Sequence, residues 1–423
     1  MPETTATERA KRVRKQGRAR PRMGLALAGG GPLGGIYEVG ALLALADSLD
    51  GIDFNDLDVY VGVSSGGFVA AALANGISPT QMYRLFIDDG ADAALTPDVF
   101  LRPALSEFAQ RAASVPWLVV RASMQWLRDP FHHGAMESMA TLAHAVPTGL
   151  FDNRSIGNFL RRLFTASGRT DDFRKLGRKL FLVATNLDTG ASVTFGGKGH
   201  DHVPISMAIE ASAALPGLFP PVRIGGEYYV DGALNKTLHA SVALDEGVDL
   251  LLCVNPLVPF DASGAGRNGH LTIKKLSHGG LPLVLSQTFR AIIHSRMRVG
   301  MDNYRRQYPK ADVVLFEPDR EDADIFFASI FSYSQRKRLC AAAYHKTRQK
   351  LAARADDLGP QLAKHGIALR RDRLADAARH MTAALTDARP LKVGKRRGSE
   401  VRQTTRDLAH TLDHLERWLS GAR

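Results

Sequence analysis

Gly62-Val63-Ser64-Ser65-Gly66 sets a serine in G-x-S-x-G spacing. Such a hydroxyl can attack an ester carbonyl if a nearby base takes its proton and hydrogen-bond donors receive the charge that develops on oxygen. The spacing alone is a weak signal, and its setting decides its weight. Val59–Val63 reads as a buried strand, and Phe68, Ala71, Ala72 and Ala74 then fall on one helical face. Strand, serine, helix is the setting of a nucleophile elbow, where Gly62 and Gly66 leave room for a tight turn. Ser64 could instead cap the helix, as serines often do. The two roles are compatible, because the helix dipole favours negative charge at that end.

A second cluster, "AGGGPLGG" at 28–35, follows the apolar run Met23–Ala28. Glycine costs backbone entropy on folding, so five of them around Pro32 and Leu33 need a reason. Gly29, Gly31 and Gly34 match a dinucleotide fingerprint, which also requires an acid near the end of the next strand. That strand ends Gly62-Val63-Ser64, without an acid, and no Gly-Lys-Ser/Thr is present to make a Walker loop. What remains is an anion cradle of backbone N–H groups facing the serine, an oxyanion hole. The run 23–28 reads as a parallel strand and residues from Gly34 or Gly35 to about Leu49 as a helix. With the Val59–Val63 strand they make one βαβ unit, whose strand ends share the edge where α/β sheets bind ligands.

The base is harder to find. The chain has fourteen histidines, and an α/β-hydrolase order Ser–Asp–His would need one. His132-His133 and His200-Asp201-His202 sit in polar, loop-like sequence with no partners at metal-ligand spacing, so no metal is expected. Asp231-Gly232-Ala233 follows the strand-like "EYYV", yet Asp-Gly is also a common turn pair, as at Asp50-Gly51 and Asp89-Gly90.

"GGGPLG", "GVSSG" and "DGA", in this order, resemble the signature blocks of the patatin-like phospholipases. The stretches "FLVATNLDTGASVTFG" (181–196) and "AIEASAALPGLFPPV" (208–222) resemble that family too, and the likeness covers roughly residues 23–245. It implies a patatin-like three-layer α/β fold with a central mostly parallel sheet and a Ser–Asp dyad without histidine. On that resemblance Ser64 is the nucleophile, Asp231 the proton acceptor, and Gly29, Gly30, Gly31 and Gly34 form the oxyanion loop. Gly62 and Gly66 flank the elbow, and Asp231, Gly232 and Ala233 form the acid motif. No cofactor or metal is implied. The family often carries Arg or Lys where this chain has Leu33, so backbone donors must act without cationic help. An ordinary Asp titrates near 3.9 and is a poor base for serine at neutral pH. Burial, for instance against Phe219, Tyr228, Tyr229 and Val230, would raise it.

The 423 residues carry a net charge of +12, placed unevenly. Arg9, Lys11, Arg12, Arg14, Lys15, Arg18, Arg20 and Arg22 face only Glu3 and Glu8, and a second basic run spans Lys392–Arg402. Such tails meet anionic surfaces or merely solubilise the chain. With the resemblance, the expected partners are a lipid substrate and the surface of an anionic membrane, not nucleic acid. Met23–Ala28 is shorter than the ~7–15 apolar residues of a signal peptide, and no run reaches the ~18 of a spanning helix. A cytoplasmic or peripheral membrane protein is therefore expected. Cys253 and Cys340 sit in apolar segments and read as buried thiols, which suits a reducing compartment.

The chain divides into a basic leader (1–22), a catalytic region (23–245), a continuation of the α/β domain (246–350) and a helical, basic C-terminal extension (351–423). Residues 90–147 interrupt the α/β rhythm with aromatic, Arg-studded sequence that reads equally as a lid or as core.

Overall fold

The computed structural model describes residues 20–88, 148–262, 276–322 and 335–387, with Ala113 and Trp117 besides. The leader up to residue 19, most of the 90–147 insertion with His132 and His133, and the 392–402 run lie outside the described residues.

In chain order the elements that build the site are β1 (Met23–Leu27), α1 (Gly31–Ser48), β2 (Leu49–Asp50), β3 (Val59–Val63) and α2 (Ser65–Ala74). Then come α3 (Arg154–Thr165), β4 (Lys179–Asn186), β5 (Ser192–Phe195), α4 (Ile205–Ser212), β6 (Val222–Ile224) and β7 (Glu227–Asp231). They are followed by α5 (Ala240–Asp245), β8 (Leu250–Val254), α6 (Gly280–Gln307), β9 (Asp312–Phe316), α7 (Arg336–Ala353), α8 (Ala355–Ala363) and β10 (Ala368–Leu369).

The main sheet runs β6–β7–β4–β3–β1–β8–β9, with β5 beside β4. From β4 to β9 all pairings along this path are parallel, whereas β5, β6 and β7 join antiparallel. Every residue of β1, β3 and β8 is buried, as expected of parallel strands covered on both faces. Ala26, Val59, Val61, Val63 and Val183 share a core with Met297 and Met301 of α6 and Ala240 and Ala243 of α5. Helices α2 and α4 pack on β3 and β4, and α7 packs on α1. The protein has the mixed α/β architecture, with its central mostly parallel sheet, expected from the sequence.

One particular differs from expectation. Helix α1 begins at Gly31 rather than Gly34 or Gly35. Gly31 takes φ +63°, in the left-handed region that suits glycine, and Pro32 occupies the first turn, where a missing N–H costs nothing. Helix α7 starts at Arg336, and the later β10 pairs antiparallel with β2. The contact of α1 with α7 is close: a Cβ on Gly40 would lie 2.4 Å from the Cys340 carbonyl. Asp47 of α1 is tied to Tyr344, Arg373 and Arg379. Burial alone would raise its pKa, but these partners hold it at about 2. Both cysteines are free and buried.

Candidate active site

The β3–α2 turn carries Ser64 at φ 52°, ψ −124°, a conformation rare outside glycine. Neighbours without side chains make the turn possible. A Cβ on Gly62 would lie 2.5 Å from both the Gly66 carbonyl and the Gly67 Cα, and one on Gly66 would lie 2.5 Å from the Ala28 carbonyl. The elbow is thereby pressed against the end of β1. Ser64 stands at the cap position of α2, yet its side chain makes no capping bond. Its hydroxyl instead lies near the Asp231 carboxylate, close enough to lower that group's pKa.

Strand register brings these two residues level. Val63 of β3 pairs with Val183 of β4, and the next β4 residue, Ala184, pairs with Asp231 of β7. The Asp231 carboxylate accepts the Ala233 N–H at 2.8 Å. Burial pushes its pKa up to about 6, while the Ala233 N–H and the Ser64 hydroxyl pull the other way. The surroundings are partly those expected: Tyr229 and Val230 are buried, but Tyr228 is 43% exposed and walls nothing. Side chains alternate across a strand, so Tyr228 and Tyr229 cannot both face inward. The sheet contributes to the enclosure, since a Cβ on Gly232 would lie 2.2 Å from the Val183 carbonyl and 3.1 Å from Val63.

The glycine loop closes over the same spot. A Cβ on Gly29 would lie 3.0 Å from the Ser64 Cβ and 3.1 Å from that of Ala233, so Gly29 sits between the serine and the acid motif. Gly30 and Gly34 pack against Pro256, just after β8. The Gly34 N–H donates to the Gly30 carbonyl at 3.0 Å inside the first turn of α1, which removes it from the expected set of oxyanion donors. The N-termini of α1 and α2 converge here, and both dipoles favour negative charge at this edge.

Two residues that the sequence did not single out for a role support the pair. Ser212 of α4, fully buried, accepts the Ser64 N–H at 2.8 Å and donates its hydroxyl to the Val183 carbonyl at 2.5 Å. A serine in Ala-rich, apolar sequence is the only cue, because a buried hydroxyl there must find partners. His239, buried in the left-handed region at φ 45°, meets the Gly232 carbonyl through Nε2 at 3.3 Å. Burial lowers its pKa to about 4, so it is neutral at pH 7 with Nε2–H as donor. His294 lies 3.8 Å from Glu317. Among the described residues no cluster of three or more His, Cys, Asp or Glu could hold a metal ion.

A glycine loop and an elbow serine thus meet at adjoining parallel strand ends within an α/β sheet. The family model for patatin-like phospholipases matches residues 25–244, more than half of the chain, and the chain belongs to that family. A curated relative, "Probable lipid hydrolase 463L" of Invertebrate iridescent virus 6, is 21% identical over 51% of this chain and 61% of its own length. Among solved structures, VipD from Legionella pneumophila is similar at 16% identity and TM-score 0.36, over 79% of this chain and 67% of that one. The type III effector ExoU of Pseudomonas aeruginosa is similar at 16% identity and TM-score 0.34, over 78% and 52%. The chain thus spans about three fifths of the viral relative and half of ExoU.

Proposed function

We propose that the protein is a serine acyl hydrolase that cleaves carboxylic ester bonds of lipids, in the manner of a phospholipase A or lysophospholipase. Ser64 is its nucleophile and Asp231 its proton acceptor. The observation that carries this reading is the elbow serine held level with, and next to, a buried carboxylate whose pKa is raised to about 6. At neutral pH such a group is mostly ionised, yet far more basic than an ordinary Asp.

In the proposed reaction Ser64 Oγ attacks the ester carbonyl as its proton passes to Asp231. The carbonyl oxygen becomes an oxyanion, received by backbone N–H groups of Gly29, Gly30 and Gly31 with the dipole of α1 behind them. The Ser64 N–H takes no part in this, because Ser212 holds it. Collapse of the tetrahedral intermediate breaks the ester C–O bond, and the leaving alcohol takes the proton from Asp231. Water then attacks the acyl-serine, with Asp231 again accepting a proton; collapse breaks the bond to Ser64 Oγ, which takes that proton back from Asp231 as the free acid departs.

Fluorophosphonate treatment followed by mass spectrometry of the digested protein tests the assignment. The adduct is expected on Ser64 and absent from Ser64→Ala. An adduct on Ser65 or Ser212, or none in folded protein, would overturn the reading.

A further inference from the structure

We propose that the outward face of α6 is a docking surface for anionic phospholipid bilayers, set at the sheet edge that carries the candidate site. The choice of a lipid occupant rests on the lipid-hydrolase reading above.

Helix α6 has 28 residues, a length of about 42 Å, whereas the five-residue strands β8 and β9 that it joins span only about 17 Å. Its C-terminal half lies on the sheet, where Met297 and Met301 enter the core. Since β8 and β9 are parallel, α6 returns against them, and its N-terminal half projects past the strand ends where Ser64 and the glycine loop lie. Two contacts fix this placement. Arg296 donates to the Leu234 and Asn235 carbonyls at 3.2 and 3.3 Å, just after the Asp231 motif, and Thr237 donates to the Ile293 carbonyl at 3.3 Å.

On the projecting half, Val284, Leu285, Phe289 and Ile292 are exposed, and Val299 follows one turn beyond Arg296. Ile292 is 52% and Val299 60% exposed. Spacings of three, four and seven place Leu285, Phe289, Ile292 and Val299 on one stripe. The ionisable side chains between Val284 and Ser295 turn elsewhere: Arg290 donates to the Val258 carbonyl at 3.4 Å, and His294 faces Glu317. Arg296 crosses the stripe, and Arg298, Arg305 and Arg306 come next against Asp302 alone. Exposed Leu187, just after β4, and Tyr228, near the start of β7, add apolar surface beyond the C-terminal end of β4.

An apolar stripe crossed by Arg296 and followed by further arginines suits a helix that lies in the interfacial layer, with its apolar side chains among acyl chains and its cations on anionic headgroups. A protein partner would also cover apolar surface. The arginines and the position at the site favour a bilayer.

The full chain is tested by co-sedimentation with vesicles of phosphatidylcholine, with and without 30% phosphatidylserine, alongside turnover of a soluble short-chain ester. Phe289→Gln with Ile292→Gln should weaken binding to the anionic vesicles at least tenfold and leave turnover of the soluble ester within twofold of wild type. Arg298→Gln with Arg306→Gln should weaken binding and flatten its dependence on salt. Circular dichroism confirms that the variants fold. Unchanged vesicle affinity in the folded Phe289 and Ile292 variant would overturn the proposal, as would a wild type that ignores anionic vesicles. A shift from dimer to monomer with vesicle binding intact would assign the stripe to a second copy of the chain and also overturn it. Loss of soluble-ester turnover in Ser64→Ala with vesicle binding retained is expected. A wild type that binds vesicles yet turns over no ester would instead sink the catalytic reading and leave the docking surface standing.

Discussion

The Ser64 backbone N–H donates to Ser212 Oγ at 2.8 Å, and Ser212 donates in turn to the Val183 carbonyl at 2.5 Å. One buried hydroxyl thus holds the strained elbow to β4, the strand that also sets the level of Asp231. Replacing Ser212 by Ala leaves a buried donor and a buried acceptor without this partner, at about 1–3 kcal/mol. With Ser64 free to relax, kcat on a soluble ester is expected to fall by about 10- to 100-fold while KM stays within threefold. A loss of Tm with kcat unchanged would show that the bond supports the fold and not the nucleophile.

Asp231 offers a test of the base itself. Asp231→Asn is nearly isosteric and should fold, yet an amide cannot take the serine proton. Activity should drop almost as far as in Ser64→Ala, because members of a catalytic unit fail together. The sign of the pH dependence follows from the raised pKa: protonated Asp231 cannot accept, so kcat/KM should fall as pH drops through about 6. A profile flat down to pH 4 would remove Asp231 from that role.

His239 stands one hydrogen bond from the acid motif, as a support for it. His239→Asn keeps a side chain that tolerates the left-handed region and loses the link to Gly232. The expected outcome is about 1 kcal/mol of lost stability by urea unfolding, with kcat within fivefold of wild type. Inactivity as deep as that of Ser64→Ala would restore a Ser–Asp–His arrangement.

Gly62 has no room for a methyl group, since two backbone atoms of the elbow would lie 2.5 Å from it. Gly62→Ala should therefore cost about 2 kcal/mol or more through forced backbone movement. Gly76, on an exposed turn and with nothing near its Cβ, would suffer only from its positive φ and should cost less when changed to Asn. Paired urea melts of the two variants check the ranking.

Much of this was legible because the decisive signals were local. β1, β3 and β8 are unbroken apolar runs, and Ser64 lies where a strand turns into a helix within a few residues. Asp231 was legible only through family likeness. Its sequence looks like a turn, and its place opposite Ser64 comes from pairing with β4, 47 residues earlier at Ala184. The start of α1 leaves no such signal, because glycines hide helical periodicity and Pro32 fits a first turn without any pattern. Ser212 left no mark, since one small residue among alanines says nothing of two bonds made across the core.

The strand order has a practical consequence for anyone cutting the gene. β1, whose end carries the glycine loop, lies between β3 and β8, and β8 falls outside the family-matched stretch 25–244. A fragment ending at Asp245 would keep Ser64, Asp231 and every glycine of the loop. It would also turn β1 from an interior strand into a raw edge and strip away Pro256, against which Gly30 and Gly34 rest. It would bare the face of α1 that Cys340 and Ala343 cover. Such a fragment should come out of expression as aggregate, its exposed edge open to pairing with other chains.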